Sequence, residues 1–355
     1  MSKLKIVLML LILLITVSGC ERITDTVITE TKQPDDQPLT VMTYNVYVGS
    51  SPDLLLSVQE LLQVPTAAAK TYDNVIAADF PSRAIGIAKS IKEHNPHVIG
   101  LQEISLIRRQ SPGDFIPDNP MQAEEVVLDY LQILMDALAS EGLDYKVAAQ
   151  VANLDIEMPM FAETGLDDIR LTDYDVILAR SDVEITRQVS VSYKNLLIIE
   201  MLGLEILRGY AAVDATIAGT TYRIVNTHLE TSTEAIRVAQ TQELVDLLSE
   251  ETLPLILLGD FNTRATAGTG YNIILDAGYV DVWQMDSEGT GNTCCQDDDI
   301  LNEISDLTVR IDQIFVRNLN PTSVITHTVG DKPEDRLASG LWPSDHAGVV
   351  AQFEF

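Results

Sequence analysis

Short apolar runs recur along the chain and are separated by polar residues, Gly and Pro. Residues 98–101 and 255–258 are continuous apolar runs, the pattern of a strand that is covered on both faces of a sheet. Residues 40–46 and 309–316 instead alternate apolar and polar side chains, as strands with one face on a core do. The pattern predicts a large two-sheet α/β domain.

Other segments have the apolar spacing of helices, the alternation of further strands, or the Gly and Pro residues of turns and loops. Apolar residues at helical spacing predict helices over 82–94, 121–141, 233–248 and 271–277. Further strands are predicted over 146–151, 176–179, 210–217, 222–226 and 349–355, with a hairpin turn at 218–220. Loops are predicted over the Pro-containing segment 104–120 and over 280–307. Residues 50–80 contain helical patches, and we interpret them as an insertion near the functional site.

The N-terminus has the order of a cleaved export signal. Two lysines within residues 1–5 precede an apolar stretch over 6–17, and Val-Ser-Gly-Cys follows at 17–20. The stretch is shorter than the ~20 residues that span a bilayer. The segment resembles a bacterial lipoprotein signal, so we expect residues 1–19 to be removed and Cys20 to carry the lipid. A plain secretory signal and an N-terminal anchor helix are the alternatives.

The rest of the chain divides into a tether and one domain. Residues 20–38, rich in Thr, Asp, Gln and Pro, are predicted to be a flexible tether. Residues 39–355 contain no second linker and no internal repeat, which predicts a single domain. We expect an exported monomer that is lipid-anchored to a bacterial membrane, on the periplasmic side or at the cell surface.

The charge balance narrows the choice of partners. The 355 residues hold 53 Asp and Glu against 23 Lys and Arg, a formal net charge of −30. Proteins that hold nucleic acid through its phosphates carry a basic stripe, whereas the basic residues here are scattered. Strong non-specific nucleic-acid binding is therefore not expected. Solubility in salty surroundings is the alternative explanation of the acidic bias.

Polar side chains follow the predicted strands where those strands end. Asp260 and Asn262 follow the run 255–258, and strand alternation predicts that both point the same way. A carboxylate that holds or deprotonates water, beside an amide that donates to an oxyanion, suits phosphate ester chemistry. Glu103 follows the run 98–101, and a carboxylate there needs a partner or a cation. Glu103 is therefore a candidate metal ligand.

Two further strand ends carry polar residues of catalytic type. Asn45 lies near the end of the first strand, and His228 ends the second strand of the hairpin. A turn former and a structural histidine are the alternatives at these positions. The charges of Arg170, Asp173 and Asp175 are expected to be solvated or paired, and a phosphate contact is the alternative for Arg170.

The last candidates lie near the C-terminus. Asp312 falls on a strand face where a carboxylate needs a partner. The adjacent Ser344, Asp345 and His346 do not form a hydrolase triad among themselves, because neighbouring side chains diverge. We expect Asp345 to face a metal and Asp312 to orient His346.

Cys294 and Cys295 are adjacent, and no CxxC spacing indicates a zinc site. A vicinal disulfide, a bond between molecules and two free thiols are the alternatives in an oxidising compartment. We interpret residues 292–296 as a structural loop.

Six motifs occur in one order along the chain: Tyr44-Asn45-Val46, Leu101-Gln102-Glu103, Asn226-Thr227-His228-Leu229-Glu230, Gly259-Asp260-Phe261-Asn262, Arg310-Ile311-Asp312-Gln313-Ile314-Phe315 and Ser344-Asp345-His346. In this order and spacing the chain resembles the endonuclease/exonuclease/phosphatase superfamily, over residues 41–355. The resemblance implies a deoxyribonuclease I-like α/β (α+β) fold, a four-layered sandwich of two packed mixed β-sheets flanked by helices. It also implies a divalent cation, with Mg²⁺ first and Mn²⁺ or Ca²⁺ as alternatives.

The resemblance also implies which residues surround the cation. Glu103 matches the principal metal ligand of the superfamily. Asn45 matches its neighbour, which contacts metal or phosphate, and Asp345 matches an outer or second metal contact. Mg²⁺ keeps several waters, which suits one firm carboxylate ligand better than a full protein cage.

The remaining matches carry catalytic roles. Asp260 resembles the residue that orients or deprotonates the attacking water. Asn262 and His228 resemble contacts to phosphate oxygens, and His228 is also a candidate donor to the leaving group. Asp312 and His346 match a coupled acid and imidazole pair. Positioned water and neutralised oxygens are what phosphoryl transfer requires.

Together these matches predict a metal-dependent phosphoesterase that acts by in-line attack of water on a phosphate ester. We expect a phosphodiester hydrolase, either nuclease-like or directed at phospholipid or sphingomyelin. The alternatives are a phosphomonoesterase of the same fold and a catalytically inert surface-binding lipoprotein.

Overall fold

A computed structural model describes residues 38–115, 121–286 and 289–355. The predicted signal, Cys20 and all but the last residue of the predicted tether lie outside the described residues. Within the described part of the chain, no helix has both the length and the apolar character needed to cross a bilayer.

Strands form most of the architecture. In chain order they are β1 (Leu39–Asn45), β2 (Val98–Gln110), β3 (Glu125–Asp129), β4 (Tyr145–Ala162), β5 (Gly165–Arg180), β6 (Glu184–Ser192), β7 (Leu197–Ile199), β8 (Leu204–Ile206), β9 (Gly209–Ile217), β10 (Thr220–His228), β11 (Leu255–Asp260), β12 (Val280–Asp281), β13 (Asp312–Arg317), β14 (Ser323–Val329) and β15 (Gly348–Glu354). The helices are α1 (Asp53–Leu56), α2 (Val64–Ala77), α3 (Phe80–His94), α4 (Tyr130–Ser140), α5 (Glu234–Leu247), α6 (Thr269–Asp276) and α7 (Trp283–Asp286), with 3₁₀ helices at Leu61–Gln63 and Pro333–Asp335.

The strands are arranged in two large mixed sheets and one small hairpin. The first sheet has the order β14-β15-β1-β2-β5-β4, with β3 beside β2. The second sheet has the order β12-β13-β11-β10-β9-β6, and β7 pairs with β8 alone. Each large sheet has one parallel pair near its centre, β1 with β2 and β10 with β11.

Alternate residues of the central strands face two different layers. Val41 and Ile256 lie in the core between the sheets. Their neighbours Met42 and Leu257 pack on the outside, against α3 and α4 and against α5 and α6 respectively. Both faces of these strands are therefore buried, which explains the continuous apolar runs. The order helices, sheet, sheet, helices confirms the four-layered α/β sandwich.

Strands β2, β4 and β5 and the helix α4 differ from the sequence-based expectations. Strand β2 continues to Gln110, so the loop predicted over 104–120 is wrong for its first half, where Ile104 and Ile107 are buried. The helix predicted over 121–141 begins only at Tyr130, because β3 precedes it and pairs with β2. Strands β4 and β5 are far longer than predicted, since pairing with each other supports polar stretches that show little apolar alternation.

The sheets approach each other closely beneath the strand ends. A Cβ added to Gly100 would lie 2.0 Å from Leu258 Cδ1 of the other sheet, so only Gly fits there. Close by, Gln102 Nε2 donates to Asn226 Oδ1 at 2.6 Å. Asn226 Nδ2 donates in turn to the Leu101 carbonyl at 3.0 Å. These buried bonds fix the register of one sheet on the other.

A buried arginine holds the loops below the strand ends. Arg83 of α3 has no exposed surface. Its guanidinium donates to the carbonyls of Val46 at 2.6 Å, Tyr47 at 2.9 Å and Pro343 at 2.9 Å, and its Nε donates to Ala78 O at 2.7 Å. One side chain thus joins the end of β1 to the loop that precedes β15.

Replacing Arg83 by Met should lower the free energy of unfolding by about 3 kcal/mol or more, because four buried carbonyls lose a charged donor. Urea-induced unfolding followed by circular dichroism measures this change. The control is Arg187→Met on the exposed surface, which should shift stability by no more than about 0.5 kcal/mol. Equal stability of the two variants would contradict the structural role of Arg83.

Candidate active site

The parallel pairs of both sheets end at the same edge of the sandwich. Asn45 at the end of β1 is in register with Gln102 of β2, and His228 at the end of β10 is in register with Asp260 of β11. Asp312, the first residue of β13, lies opposite Asp260. Carboxyl ends of parallel strands are where α/β proteins gather polar ligand-binding groups. The predicted candidates therefore meet because of sheet topology.

The expectation that Glu103 follows the end of its strand is wrong. Glu103 lies inside β2, at a bulge where the pairing with β5 shifts register between Leu101 and Ile104. Its φ of 61° is in the left-handed region, which is unusual for a residue with a long side chain. Bulges re-aim side chains near active sites, and this one turns the Glu103 carboxylate toward the strand ends. Its Oε2 accepts from the Val48 amide at 2.7 Å.

The Asn45 side chain joins two carboxylates that come from different sheets. Its Nδ2 donates to Glu103 Oε1 at 3.0 Å and to Asp260 Oδ2 at 3.1 Å. Its Oδ1 accepts from the Tyr47 amide at 3.0 Å. These contacts occupy both amide hydrogens, and only 1% of Asn45 is exposed. Asn45 therefore holds two carboxylates in place from beneath the cavity, and its expected contact with metal or phosphate stays a prediction.

Asp260 and Asn262 reach the same cavity, but not by strand alternation as predicted. The strand ends at Asp260, and Asn262 has a φ of 47°, so the chain turns between them. Asp260 Oδ1 accepts from the Asn262 amide at 2.8 Å, which fixes that turn. Burial by itself raises the pKa of Asp260. The charges of His228 and His346, with the bonds from Asn262 and Asn45, outweigh burial and bring that pKa below its ordinary value.

Asp312 and His346 form a buried pair, as expected. His346 Nδ1 lies 2.8 Å from Asp312 Oδ2, and the carboxylate has no exposed surface. Burial lowers the pKa of His346, but Asp312, Asp345 and Asp260 act against burial and raise that pKa well above its ordinary value. The amide of His346 also donates to Ser344 Oγ at 3.1 Å, which anchors the loop. Asp312 therefore orients the His346 ring and favours its protonated form.

His228 contacts Asp260 and two further charged residues, Asp175 and Arg208, that were not predicted to belong to the site. Its Nε2 is 3.5 Å from Asp260 Oδ2, and its Nδ1 is 3.7 Å from Asp175 Oδ1 and 3.0 Å from Arg208 Nη1. Burial and Arg208 lower the pKa of His228, but Asp175 and Asp260 outweigh them and raise it. Asp175 was expected only to be solvated or paired, and Arg208 carried no sequence signal because it precedes a strand outside the six motifs.

Arg170 is paired, which was the first expectation for its charge, with the phosphate contact as the alternative. Its guanidinium forms two hydrogen bonds to the Asp155 carboxylate, with Nε at 2.7 Å from Oδ1.

The two adjacent cysteines, Cys294 and Cys295, are joined by a disulfide, the first of the three alternatives. Cys294 also pairs with the backbone of His346, so the loop that holds this disulfide supports the site.

The donor set fits a divalent cation. Glu103 and Asp345 present carboxylates to one cavity, and oxygen ligands are those that hard divalent cations prefer. Burial, together with the charge of Glu103, raises the pKa of Asp345 to about 7, against the opposing charge of His346. Donor atoms of Asp260, Asp312 and His346 also lie within 4.8 Å of one another. Buried carboxylates this close need compensating positive charge, which His346 supplies in part and a cation at Glu103 and Asp345 would supplement.

These residues surround one cavity of about 420 Å³. Six of the predicted site residues line it: Glu103, His228, Asp260, Asn262, Asp345 and His346. Asn45 and Asp312 lie one layer below and contact the lining carboxylate and imidazole groups. The structure thus brings these eight candidates together, with six at the cavity surface and two beneath it. The sequence does not distinguish these two positions.

Comparison with known proteins agrees with this geometry. The family model described as the Endonuclease/Exonuclease/phosphatase family matches residues 42–346, most of the chain. The chain belongs to this family. Members of the Endonuclease/Exonuclease/phosphatase family are phosphoester hydrolases, and they generally use divalent metals. No curated protein matches the sequence.

Solved structures of this family share the fold at low sequence identity. An endonuclease/exonuclease/phosphatase family protein from Leptotrichia buccalis matches with a TM-score of 0.56 and 17% identity, over 89% of this chain and 100% of that one. The mannosyl-6-phosphatase Bt3783 of Bacteroides thetaiotaomicron matches with a TM-score of 0.53 and 18% identity, over 89% and 100%. TDP2 of D. rerio, complexed with a single-strand DNA product, matches with a TM-score of 0.51 and 17% identity, over 90% and 100%.

Removing the Asp312 charge should lower the pKa of His346, because that carboxylate is the foremost group holding the proton on the ring. NMR titration of the imidazole resonances in EDTA measures the pKa in wild type and in Asp312→Asn. Asp175→Asn, which removes a carboxylate beside His228, is the matched control and should leave His346 nearer its wild-type value. An unchanged His346 pKa in Asp312→Asn would contradict the assigned pair.

Proposed function

We propose that this protein is a magnesium-dependent phosphodiester hydrolase. The observation that supports the proposal most strongly is the position of Asp260. Its ionised carboxylate faces a cavity that also receives Glu103 and Asp345, and two imidazoles, those of His228 and His346, lie beside it. A base, donors for phosphate oxygens and oxygen ligands for a cation are what hydrolysis by water requires.

The position of each residue in the cavity suggests its role in hydrolysis. Glu103 and Asp345 would hold Mg²⁺, which supplies charge neutralisation at the phosphate when it is bound. Asp260, which its lowered pKa keeps ionised, accepts a hydrogen bond from the attacking water and so orients it. Asn262 and His228 contact phosphate oxygens from the sides of the cavity.

His346 donates to a phosphate oxygen as the charge develops, while Asp312 keeps its ring oriented and protonated. Asn45 holds Glu103 and Asp260 at a fixed separation, so that the metal ligand and the base act on one phosphate.

Charge in the cavity favours a diester over a monoester. A phosphomonoester brings close to two negative charges at neutral pH and a diester brings one. Among the described residues that line the cavity, Arg208 is the sole Arg or Lys, and several carboxylates lie near it. The net charge of −30 also opposes a polyanionic substrate. These charges support a small phosphodiester over nucleic acid.

Hydrolysis of bis-p-nitrophenyl phosphate should require Mg²⁺ and stop in EDTA, and it should exceed hydrolysis of p-nitrophenyl phosphate. Glu103→Gln should lower the rate at limiting Mg²⁺ by about 10²-fold or more, because it removes a charged ligand. The double variant Asp260→Ala, His346→Ala should show no turnover. Glu93→Gln, the same change on the exposed surface of α3, is the control and should retain the wild-type rate. A wild-type rate in Glu103→Gln would contradict the metal assignment.

We further propose that the protein is exported and lipid-anchored through Cys20, on the order of basic, apolar and small residues in the signal. Cys20→Ser in the full chain should move the protein from the membrane fraction to the soluble fraction and leave turnover per molecule unchanged. Fractionation with immunoblotting, together with mass spectrometry of the mature N-terminus, measures this. Retention of the Cys20→Ser protein in the membrane would contradict lipidation at Cys20.

A further inference from the structure

The cavity that holds the candidate catalytic residues has an apolar end, where Leu55, Ile156, Ile169 and Leu204 pack in one hydrophobic cluster. Aliphatic side chains from three separate parts of the fold line it. Leu55 comes from α1, Ile156 and Ile169 come from the β4–β5 hairpin, and Ile199 and Leu204 come from the β7–β8 hairpin. The segment over 50–80, interpreted from sequence as an insertion near the site, therefore forms one of its walls.

The β7–β8 hairpin is built as a wall of this cavity. Ile199, Leu204 and Ile206 line the cavity. Ile198 and Glu205, on the intervening positions, point the other way, and Ile198 is 56% exposed. Because a strand alternates its faces, this pattern assigns one face of the hairpin to the cavity. The apolar end is thus a defined surface with a fixed orientation.

The apolar end is continuous with the phosphoryl site. Glu103, His228 and Asp260 line the same cavity as Ile156 and Leu204. A phosphate held at the polar end would therefore leave the aliphatic walls within reach of one of its ester substituents. A cavity of about 420 Å³ is within the range that accommodates small organic ligands.

The chemistry of the walls indicates what that substituent is. Polar or charged groups would lose water there without enough hydrogen-bond partners, which costs free energy. Single-stranded nucleic acid is held by aromatic stacking and basic tracks. Tyr47 and Tyr72 are the aromatic residues among the described lining residues, and Arg208 is the one Arg or Lys. Aliphatic walls favour a hydrocarbon chain over a nucleobase or a sugar.

We propose that the substrate is a phosphate ester with an aliphatic chain, and that the end of the cavity walled by α1, β4–β5 and β7–β8 binds this chain. The proposal rests on the phosphodiesterase function proposed above, because it assigns a substrate class to the same site. The phosphate would lie among the strand-end residues, and the chain would lie against Ile199, Leu204 and Ile206.

The test uses alkyl p-nitrophenyl phosphate diesters with methyl, butyl and octyl groups, kept below their aggregation concentrations with Mg²⁺ present. For wild type, kcat/KM should rise about fourfold per methylene until the apolar end is filled. Ile199→Lys should lose most of this gain, because a charge replaces part of the wall. The matched control is Ile198→Lys, the adjacent and exposed position, which should retain the full gain.

Binding separates this proposal from the proposed activity. Butylphosphonate and octylphosphonate are titrated into wild type and Ile199→Lys by calorimetry, with Mg²⁺ and without turnover. Tighter binding of octylphosphonate that is lost in Ile199→Lys supports the hydrocarbon subsite, even if no diester is cleaved and the phosphodiesterase proposal falls.

The opposite results overturn the hydrocarbon subsite. Cleavage at a rate independent of chain length, or equal gains in Ile199→Lys and Ile198→Lys, would refute it and leave the phosphodiesterase standing. Preference for thymidine 5′-p-nitrophenyl phosphate over the octyl diester would also refute it, in favour of a nucleotide substrate. Chain-independent binding together with no cleavage would refute both proposals.

Discussion

The site depends on one carboxamide that holds two carboxylates from different sheets. Asn45 donates to Glu103 of the first sheet and to Asp260 of the second, and its own oxygen is fixed by the backbone. Without it, the half-buried Glu103 and the buried Asp260 carboxylates would repel each other. The close packing of the sheets at Gly100 and the Gln102–Asn226 bond make this contact possible. The sandwich therefore acts as the frame that sets a distance between two functional groups.

Concentrated negative charge is the main energetic cost of this arrangement. Asp175, Asp260 and Asp312 are almost wholly buried, and Oδ1 of Asp312 and both carboxylate oxygens of Asp175 lack a hydrogen-bond partner. The imidazoles of His228 and His346 offset part of that charge, and a bound cation at Glu103 and Asp345 would offset more. Stability and the proposed function are coupled here, because the groups whose burial costs free energy are those proposed to bind the metal and the phosphate.

The chemistry and the proposed substrate preference lie on different parts of the fold. The candidate catalytic side chains come from strand ends and from the loop at Asp345 and His346, all supported by buried strands or by Arg83. The apolar end of the cavity comes from α1, a long hairpin and the small β7–β8 pair, which are added around that frame. Such a division allows the substituent on the phosphate to change while the geometry at the phosphate stays fixed.

The sequence alone determined the sandwich class, the strands that carry Asn45, Glu103, His228 and Asp260, and the pairing of Asp312 with His346. The strands follow from local periodicity, whereas the four-layered sandwich and the Asp312–His346 pair follow from the family resemblance that the ordered motifs carry. The tertiary structure decided that Glu103 lies in a bulge, that Asn45 lies beneath the cavity, and that Asp175 and Arg208 adjoin His228. The tertiary structure also brought α1, the β4–β5 hairpin and the β7–β8 hairpin together around the apolar end of the cavity. Asn45 and Asp260 are 215 positions apart, and contacts over such separations depend on how two sheets pack, which no local pattern encodes.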